Sequence, residues 1–264
     1  SSTTFLIFLP IVLLLVGLAP RRWRNPVLLV ASYYFYGSWD WRFLALIFLT
    51  SAIDYTVGLA LHSSTDAQQR KRYLLISVCS NLTILGFFKY FNFFVDTAAV
   101  MLEGLGFHAS MPTLSIILPV GISFYTFQSM SYVVDIYRRE MEPTDSFPNY
   151  ALYVSYFPQL VAGPIERSSR LLPQILSPEK VTPARINTAI TLILVGYVKK
   201  VLIADNIAPE VDRIFSSPEE MSAGMLLKGA YLFSFQIYGD FSGYSDIARG
   251  VSELFGIRLM VNFN

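Results

Sequence analysis

The sequence predicts an all-α fold: a polytopic membrane helical bundle with re-entrant or interfacial segments. Composition is the first sign. Hydrophobic residues make up 53% of the 264 and charged residues 15%, where soluble domains carry roughly a quarter charged. The mean hydropathy is +0.47. Second, several apolar runs approach the ~20 residues that cross a bilayer. Third, polar residues inside those runs recur at helical spacing. Nothing in the chain marks a linker, repeat or low-complexity tract, so 1–264 reads as one membrane domain.

The net charge of +1 gives no reason to expect nucleic acid as a partner. The informative charges are local clusters of Lys and Arg at the ends of apolar runs. The one cysteine, Cys79, excludes an intrachain disulfide and a cysteine-built metal site. No metal or resident cofactor is expected.

The first run, Phe5 to Leu18, lacks a basic flank and a small-residue cleavage site, so it reads as a membrane helix rather than a signal peptide. It stops at Pro20, and Arg21, Arg22 and Arg24 mark a cytoplasmic loop. A second run starts near Val27 and breaks at Gly37–Arg42, where Trp39 and Trp41 suit a membrane–water interface. The third, Phe43 to Leu61, carries Asp54. A polar loop, His62 to Gln69, precedes the basic cluster Arg70-Lys71-Arg72. Tyr73 to about Val95 is the next run, with Asn81 and Lys89 inside it. Asn81-Leu82-Thr83 matches a glycosylation sequon, but a buried helical position excludes modification. Asp96 to Pro112 reads as an external segment.

Leu118 to Arg139 is the organising stretch. Gln128, Tyr132 and Asp135 fall at i, i+4 and i+7 on one helical face, and Gly121 and Tyr125 extend it. An Asp at the bilayer centre costs roughly 2.5–3.5 kcal/mol even on insertion scales. The stripe must therefore face other helices, as structural glue, or the wall of a polar pathway. Tyr150 to Ile165 is apolar but short, and Pro158, Gly163 and Pro164 interrupt it, as in a re-entrant segment. A spanning helix follows over about Ile186 to Ile203, with Lys199 and Lys200 near its far end against the charge rule. Pro209 to Met221 reads as a polar external loop. The last helix, Met225 to Phe255, has two polar stripes: Gln236, Asp240 and Gly243; and Ser242, Asp246, Arg249 and Glu253. Tyr244, at i+4 from Asp240, joins the polar residues of this helix. Asp246 and Arg249 are spaced for an ion pair, and Gly239, Gly243 and Gly250 permit close helix approach.

Phosphate-cradling, nucleophile-elbow and HExxH motifs are absent. His62 and His108 sit in expected loops without a partner that would make either a base. No catalytic residue is expected within this chain.

Four stretches, taken together and in order, resemble the membrane-bound O-acyltransferase family: Leu118–Arg138, Tyr156–Arg167 (YFPQLVAGPIER), Val195–Ile207 (VGYVKKVLIADNI) and Gln236–Ile257. The nearest branch is that of bacterial alginate and exopolysaccharide O-acetylation, which the opening SYYFYGSWDWRF also fits. The resemblance implies an O-acetyltransferase of the bacterial inner membrane. A cytoplasmic acyl thioester, acetyl-CoA or an acyl carrier, would be the donor substrate. Hydroxyls of an exported polysaccharide would be the acceptor, with periplasmic acetylation proteins as partners. The family's catalytic histidine follows the motif that ends here at Asn264, in a segment resembling FWRRWH, which is missing. The chain is thus expected to be the N-terminal part of such a protein and inactive alone. Gln128, Tyr132, Asp135, Gln236, Asp240, Tyr244, Asp246 and Arg249 are expected to line or brace a tunnel, with Pro158, Gly163 and Pro164 at its cytoplasmic mouth. D-alanyl transfer toward teichoic acid is a second enzymatic reading. A transporter or channel subunit is a third, since intramembrane charges and broken helices also suit that class.

Overall fold

A computed structural model describes residues 2–104, 117–160, 163, 164 and 166–262. The described residues are helical with turns and contain no strand. The elements are α1 (Ser2–Leu18), α2 (Arg21–Asp40), a 3-10 turn (Trp41–Phe43), α3 (Leu44–Ser63), α4 (Ala67–Gly104), α5 (Ile122–Tyr137), α6 (Phe147–Ser155), α7 (Phe157–Leu160), α8 (Ser168–Leu176), α9 (Pro183–Tyr197), a π-helical segment (Val198–Ala204), α10 (Asp205–Ser216), a second 3-10 turn (Pro218–Glu220) and α11 (Ala223–Glu253). Among the described residues, three helical stretches are long and apolar enough to cross a membrane: Arg21–Ser63, Ala67–Gly104 and Pro183–Ser216. Their outer faces carry exposed Leu, Ile, Val and Phe, such as Leu49, Phe94 and Leu194. Such a surface suits lipid.

The basic clusters Arg21–Arg24 and Arg70–Arg72 lie at the starts of α2 and α4 rather than in loops, while Arg138–Arg139 form a turn after α5. Asp66 explains one case. Its carboxylate accepts the Gln69 amide at 2.9 Å, which starts α4 before Arg70-Lys71-Arg72. Arg70 is then buried and donates to the carbonyls of Leu61 (2.5 Å), Ile136 (3.2 Å) and Tyr137 (2.8 Å). Those carbonyls end α3 and α5, where the last turn leaves acceptors without the regular i+4 donor; Ile136 O also accepts the Arg139 amide at 3.0 Å. Comparable bonds gather the other ends. Arg24 donates to Phe255 O at 2.5 Å. Asn25 reaches Asn149 and Ile175. Arg185 pairs with Glu253 at 2.6 Å. Arg21–Arg24, Arg70–Arg72, Arg138–Arg139 and Arg185 therefore share one end of the bundle.

The expected external loop from Pro209 is mostly helix. Its polarity misleads because α10 is amphipathic: Val211 and Ile214 are buried, the latter beside Gly229 of α11. The Asn206 amide donates to the carbonyls of Val201 and Leu202 where the π segment gives way to α10. The expected external segment from Asp96 is helical to Gly104; its remainder, with His108, lies outside the described residues.

The core is aromatic. Tyr125, Tyr132, Tyr150, Tyr153, Tyr156 and Phe157 are the largest fully buried side chains. Tyr132 and Tyr150 lie 4.5 Å apart between ring centroids. Asp54 is fully buried and accepts from Ser77 (2.5 Å) and from Asn81 (3.0 and 2.8 Å), tying α3 to α4. The sequon asparagine is thus a carboxylate's partner, which the sequence did not reveal.

Candidate functional site

Two polar regions surround the C-terminal half of the bundle. The first is built on α5. Gln128, Tyr132 and Asp135 are all buried. The Gln128 amide donates to Tyr153 O at 2.6 Å and, at 3.4 Å, to the Gln159 carbonyl oxygen. The Tyr132 hydroxyl accepts the Thr144 amide. Asp135 accepts from the Ser168 hydroxyl at 2.6 Å.

These bonds trace the path of the interrupted segment. The chain meets α5 first at Tyr132 from Thr144. It then meets Ser129 from Tyr150, and Gln128 from Tyr153 and Gln159. It comes back to Asp135 from Ser168. The segment therefore enters and leaves at the basic end. Pro158, Gly163 and Pro164 form its inner turn and are buried. Gln159 donates to Pro164 O at 2.7 Å, which covers a carbonyl that a broken helix leaves open. Gly163 has no room for a side chain, because a Cβ there would lie 2.6 Å from the Gln159 Cα. Gly163→Ala should thus lower the melting temperature, with a cost of about 1–3 kcal/mol by overpacking. An unchanged thermal transition would show that the turn opens freely.

Glu166, at the exit, is 1% exposed. It accepts the Met260 amide, and Arg170 lies 4.0 Å away. Burial raises its carboxyl above the ordinary value of 4.5, with the Met260 amide and Arg170 opposing. The folded state then holds the proton more tightly than the unfolded chain. Glu166's contribution is fully present below pH 4.5 and is lost as pH rises through the raised value. Glu166→Gln should flatten the fall in stability over that window, measured by unfolding at a series of pH values. An unaltered profile would exclude this residue as the cause.

The second region lies between α9, the π segment and α11. Glycines bring the helices to backbone contact. A Cβ on Gly196 would sit 2.5 Å from Gly243 O, and one on Gly250 would sit 2.7 Å from Ala189 O. The π segment turns successive lysines toward α11. Lys199 reaches Asp246 at 2.6 Å and Ser242 at 2.8 Å. Lys200 reaches Asp240 at 2.5 Å and Asp205 at 2.7 Å. The lysines that broke the charge rule are therefore neutralised in place. Arg249 pairs with Asp246 as expected, at 3.1 Å, but Lys199 is the nearer partner. Gln236 is half-buried, with its carbonyl oxygen unpartnered among the described residues. Tyr244 packs against the aromatic core. Two charged stripes on α11 facing two lysines at helical reach were the signal for this pairing. The lysines' consecutive positions, incompatible with one α-helical face, hid it.

Residues 143–263, which contain the interrupted segment and the whole second region but not α5, match MBOAT, membrane-bound O-acyltransferase family. Over its whole length the chain is 39% identical to "Probable alginate O-acetylase AlgI" of Azotobacter vinelandii, covering 53% of that protein. The chain belongs to the membrane-bound O-acyltransferase family. It is also similar to "Peptidoglycan O-acetyltransferase" of Helicobacter pylori, 33% identical over 94% of this chain and 50% of that protein. "Teichoic acid D-alanyltransferase" of Bacillus subtilis is more distant, 27% identical over 58% of this chain and 39% of that protein. This membrane-bound O-acyltransferase chain spans about half the length of the relatives it matches best in coverage. Family membership and its apolar helices make it a membrane protein. Among the described residues no cluster of His, Cys, Asp or Glu could hold a metal.

Proposed function

We propose that the protein carrying this chain is an O-acyltransferase of the bacterial inner membrane that transfers acetyl groups from a cytoplasmic thioester donor to hydroxyls of an exported polysaccharide. The acceptor class follows the alginate and peptidoglycan relatives, which match nearly all of the chain. The D-alanyl relatives match little more than half. The chain contributes the walls of the passage between donor and acceptor.

One observation carries this reading. Lys200 and Asp240 are 40% and 42% exposed, yet Lys200 lies fifteen residues beyond Arg185 of the basic end, about 20 Å along the helix. Half-exposed charges at that depth of a ~30 Å hydrocarbon layer cannot face lipid. A water-filled or protein-lined passage would accommodate them. The buried segment turning at Pro158, Gly163 and Pro164 would close its cytoplasmic mouth, braced by Gln128, Tyr132 and Asp135. Gln236, Asp240, Tyr244, Asp246 and Arg249 would line or support its side.

The test is reagent access. In a Cys79→Ser background, Asp240→Cys should react with a membrane-impermeant charged thiol reagent, and acetyl transfer to a polysaccharide should fall with the extent of reaction. Reaction only with lipid-soluble reagents would overturn the passage. The 264-residue chain alone should transfer no acetyl groups; transfer abolished by His108→Ala would show that its histidine is catalytic after all.

Orientation has its own expected outcome. Cysteines at residues 71 and 219 should label from opposite sides of the membrane, with 71 reached only from the cytoplasm, as the clustered arginines require. External labelling at 71 would invert the assignment.

A further inference from the structure

The outward face of α1 and α2 carries a groove of about 730 Å³. Ile11 and Leu15 form one wall, and Trp23, Val27, Val30 and Tyr34 the other. No charged residue is among its lining residues. Leu15, Val30 and Tyr34 are exposed, so the groove opens toward the bilayer rather than into the core.

Its length and its ends are informative. From Trp23 to Tyr34 the groove follows α2 for about 16 Å. That is close to half of a ~30 Å hydrocarbon layer, the depth of a single leaflet. It begins at the basic end of the bundle. Arg22 lies one helical turn before the groove residue Pro26, on the same face. Helical side chains lean toward the N-terminus, so Arg22 points out past the groove to where headgroups lie. Arg21 and Arg22 are exposed, and among the described residues neither is in an ion pair. The first turn of α2 holds no acidic residue, and Pro20 provides no side-chain cap. One amphiphile matches both parts: a cation-seeking head and an apolar tail as long as one leaflet.

We propose that this groove binds an anionic phospholipid from the leaflet at the basic end, one acyl chain along α1 and α2 and the phosphate against Arg22, with exposed Arg21 adding positive charge from the adjoining face of the first turn. A zwitterionic lipid fits the tail site equally but forfeits the net charge attraction, worth about fivefold in affinity per arginine.

The test uses Trp23, which lines the groove, as the reporter. In a Trp39→Phe/Trp41→Phe background of this 264-residue chain it is the sole tryptophan, and its fluorescence is followed in nanodiscs containing acyl-brominated phosphatidylglycerol or phosphatidylcholine at equal mole fraction. Quenching should be half-maximal at a mole fraction several-fold lower for phosphatidylglycerol. Arg21→Gln/Arg22→Gln should erase that difference, while Val30→Phe should weaken quenching by both lipids. Equal quenching by the two lipids overturns the proposal, as does a preference that survives loss of both arginines. Quenching by neither overturns it too, because a protein segment or second copy then fills the groove. The unsubstituted chain gives an independent reading by native mass spectrometry from mixed-lipid nanodiscs. Phosphatidylglycerol should remain bound in several-fold excess over phosphatidylcholine, and retention of neither, or of both alike, overturns the assignment.

Discussion

Asp246→Asn should destabilise the protein by about 3 kcal/mol, more than the loss of either of its cationic partners. Asp246 holds Lys199 and Arg249 together, and removing it strands two positive charges within the bundle. Breaking a buried pair costs roughly 3–5 kcal/mol because an uncompensated charge remains. The lower end applies, since both cations keep some solvent contact, with exposures of 26% and 23%. Lys199→Met should cost about 1 kcal/mol, because Arg249 still neutralises the carboxylate. The double variant Lys199→Met/Asp246→Asn should then be more stable than Asp246→Asn alone. Denaturant unfolding in detergent micelles, arranged as a double-mutant cycle, measures this. Additive effects below about 1 kcal/mol would reduce the cluster to a surface feature.

Gly196→Ala should cost about 3 kcal/mol, an effect far beyond its single methyl group. The new Cβ would lie 2.5 Å from Gly243 O and 2.9 Å from the Ile247 amide nitrogen. Backbone atoms cannot rotate away, so α9 and α11 must separate. Separation would also lengthen the Lys199–Asp246 contact, so this variant and Asp246→Asn should couple. Gly86→Ala is the control. Nothing lies within 4 Å of a Cβ there, and replacing a mid-helix glycine gains about 0.5–1 kcal/mol. Equal melting temperatures for the Gly196 and Gly86 variants would show that the helix pair tolerates spacing.

Helix positions were legible wherever burial on one face left a periodic mark. Leu118–Arg139 was read from its Gln128/Tyr132/Asp135 stripe, and the structure buries all three. Gly243 and Gly250 were read as contact glycines and do meet the α9 backbone. Boundaries failed where polar residues serve helix ends. Arg70 looked like a loop cation because its partners are carbonyls, which leave no trace in a sequence. Pro209–Met221 looked like a loop because α10 buries only one narrow face. The candidate site was half legible. Its acidic stripe on α11 stood out, but its bases lie on a π segment, whose extra residue shifts the face that each lysine presents. Nothing in the sequence sets Glu166 apart from the exposed charges around it, yet burial and the Met260 amide make it a link between the returning segment and the chain beyond α11.

Arg70 also bears on the order of assembly during synthesis. It binds one carbonyl nine residues before it, on α3, and two others more than sixty residues after it, on α5. A nascent α3–α4 hairpin can form only the first of these bonds. Until α5 is made, part of the guanidinium stays open to headgroup water, and the hairpin's ends remain free to shift. Arrival of α5 would close the arginine off and fix three helix ends in one step. Arrested chains ending shortly after Asp96 should therefore leave Lys71 and its neighbours protease-sensitive, and chains long enough to expose α5 to the bilayer should protect them. Equal sensitivity at both lengths would mean that the hairpin is set before α5 arrives.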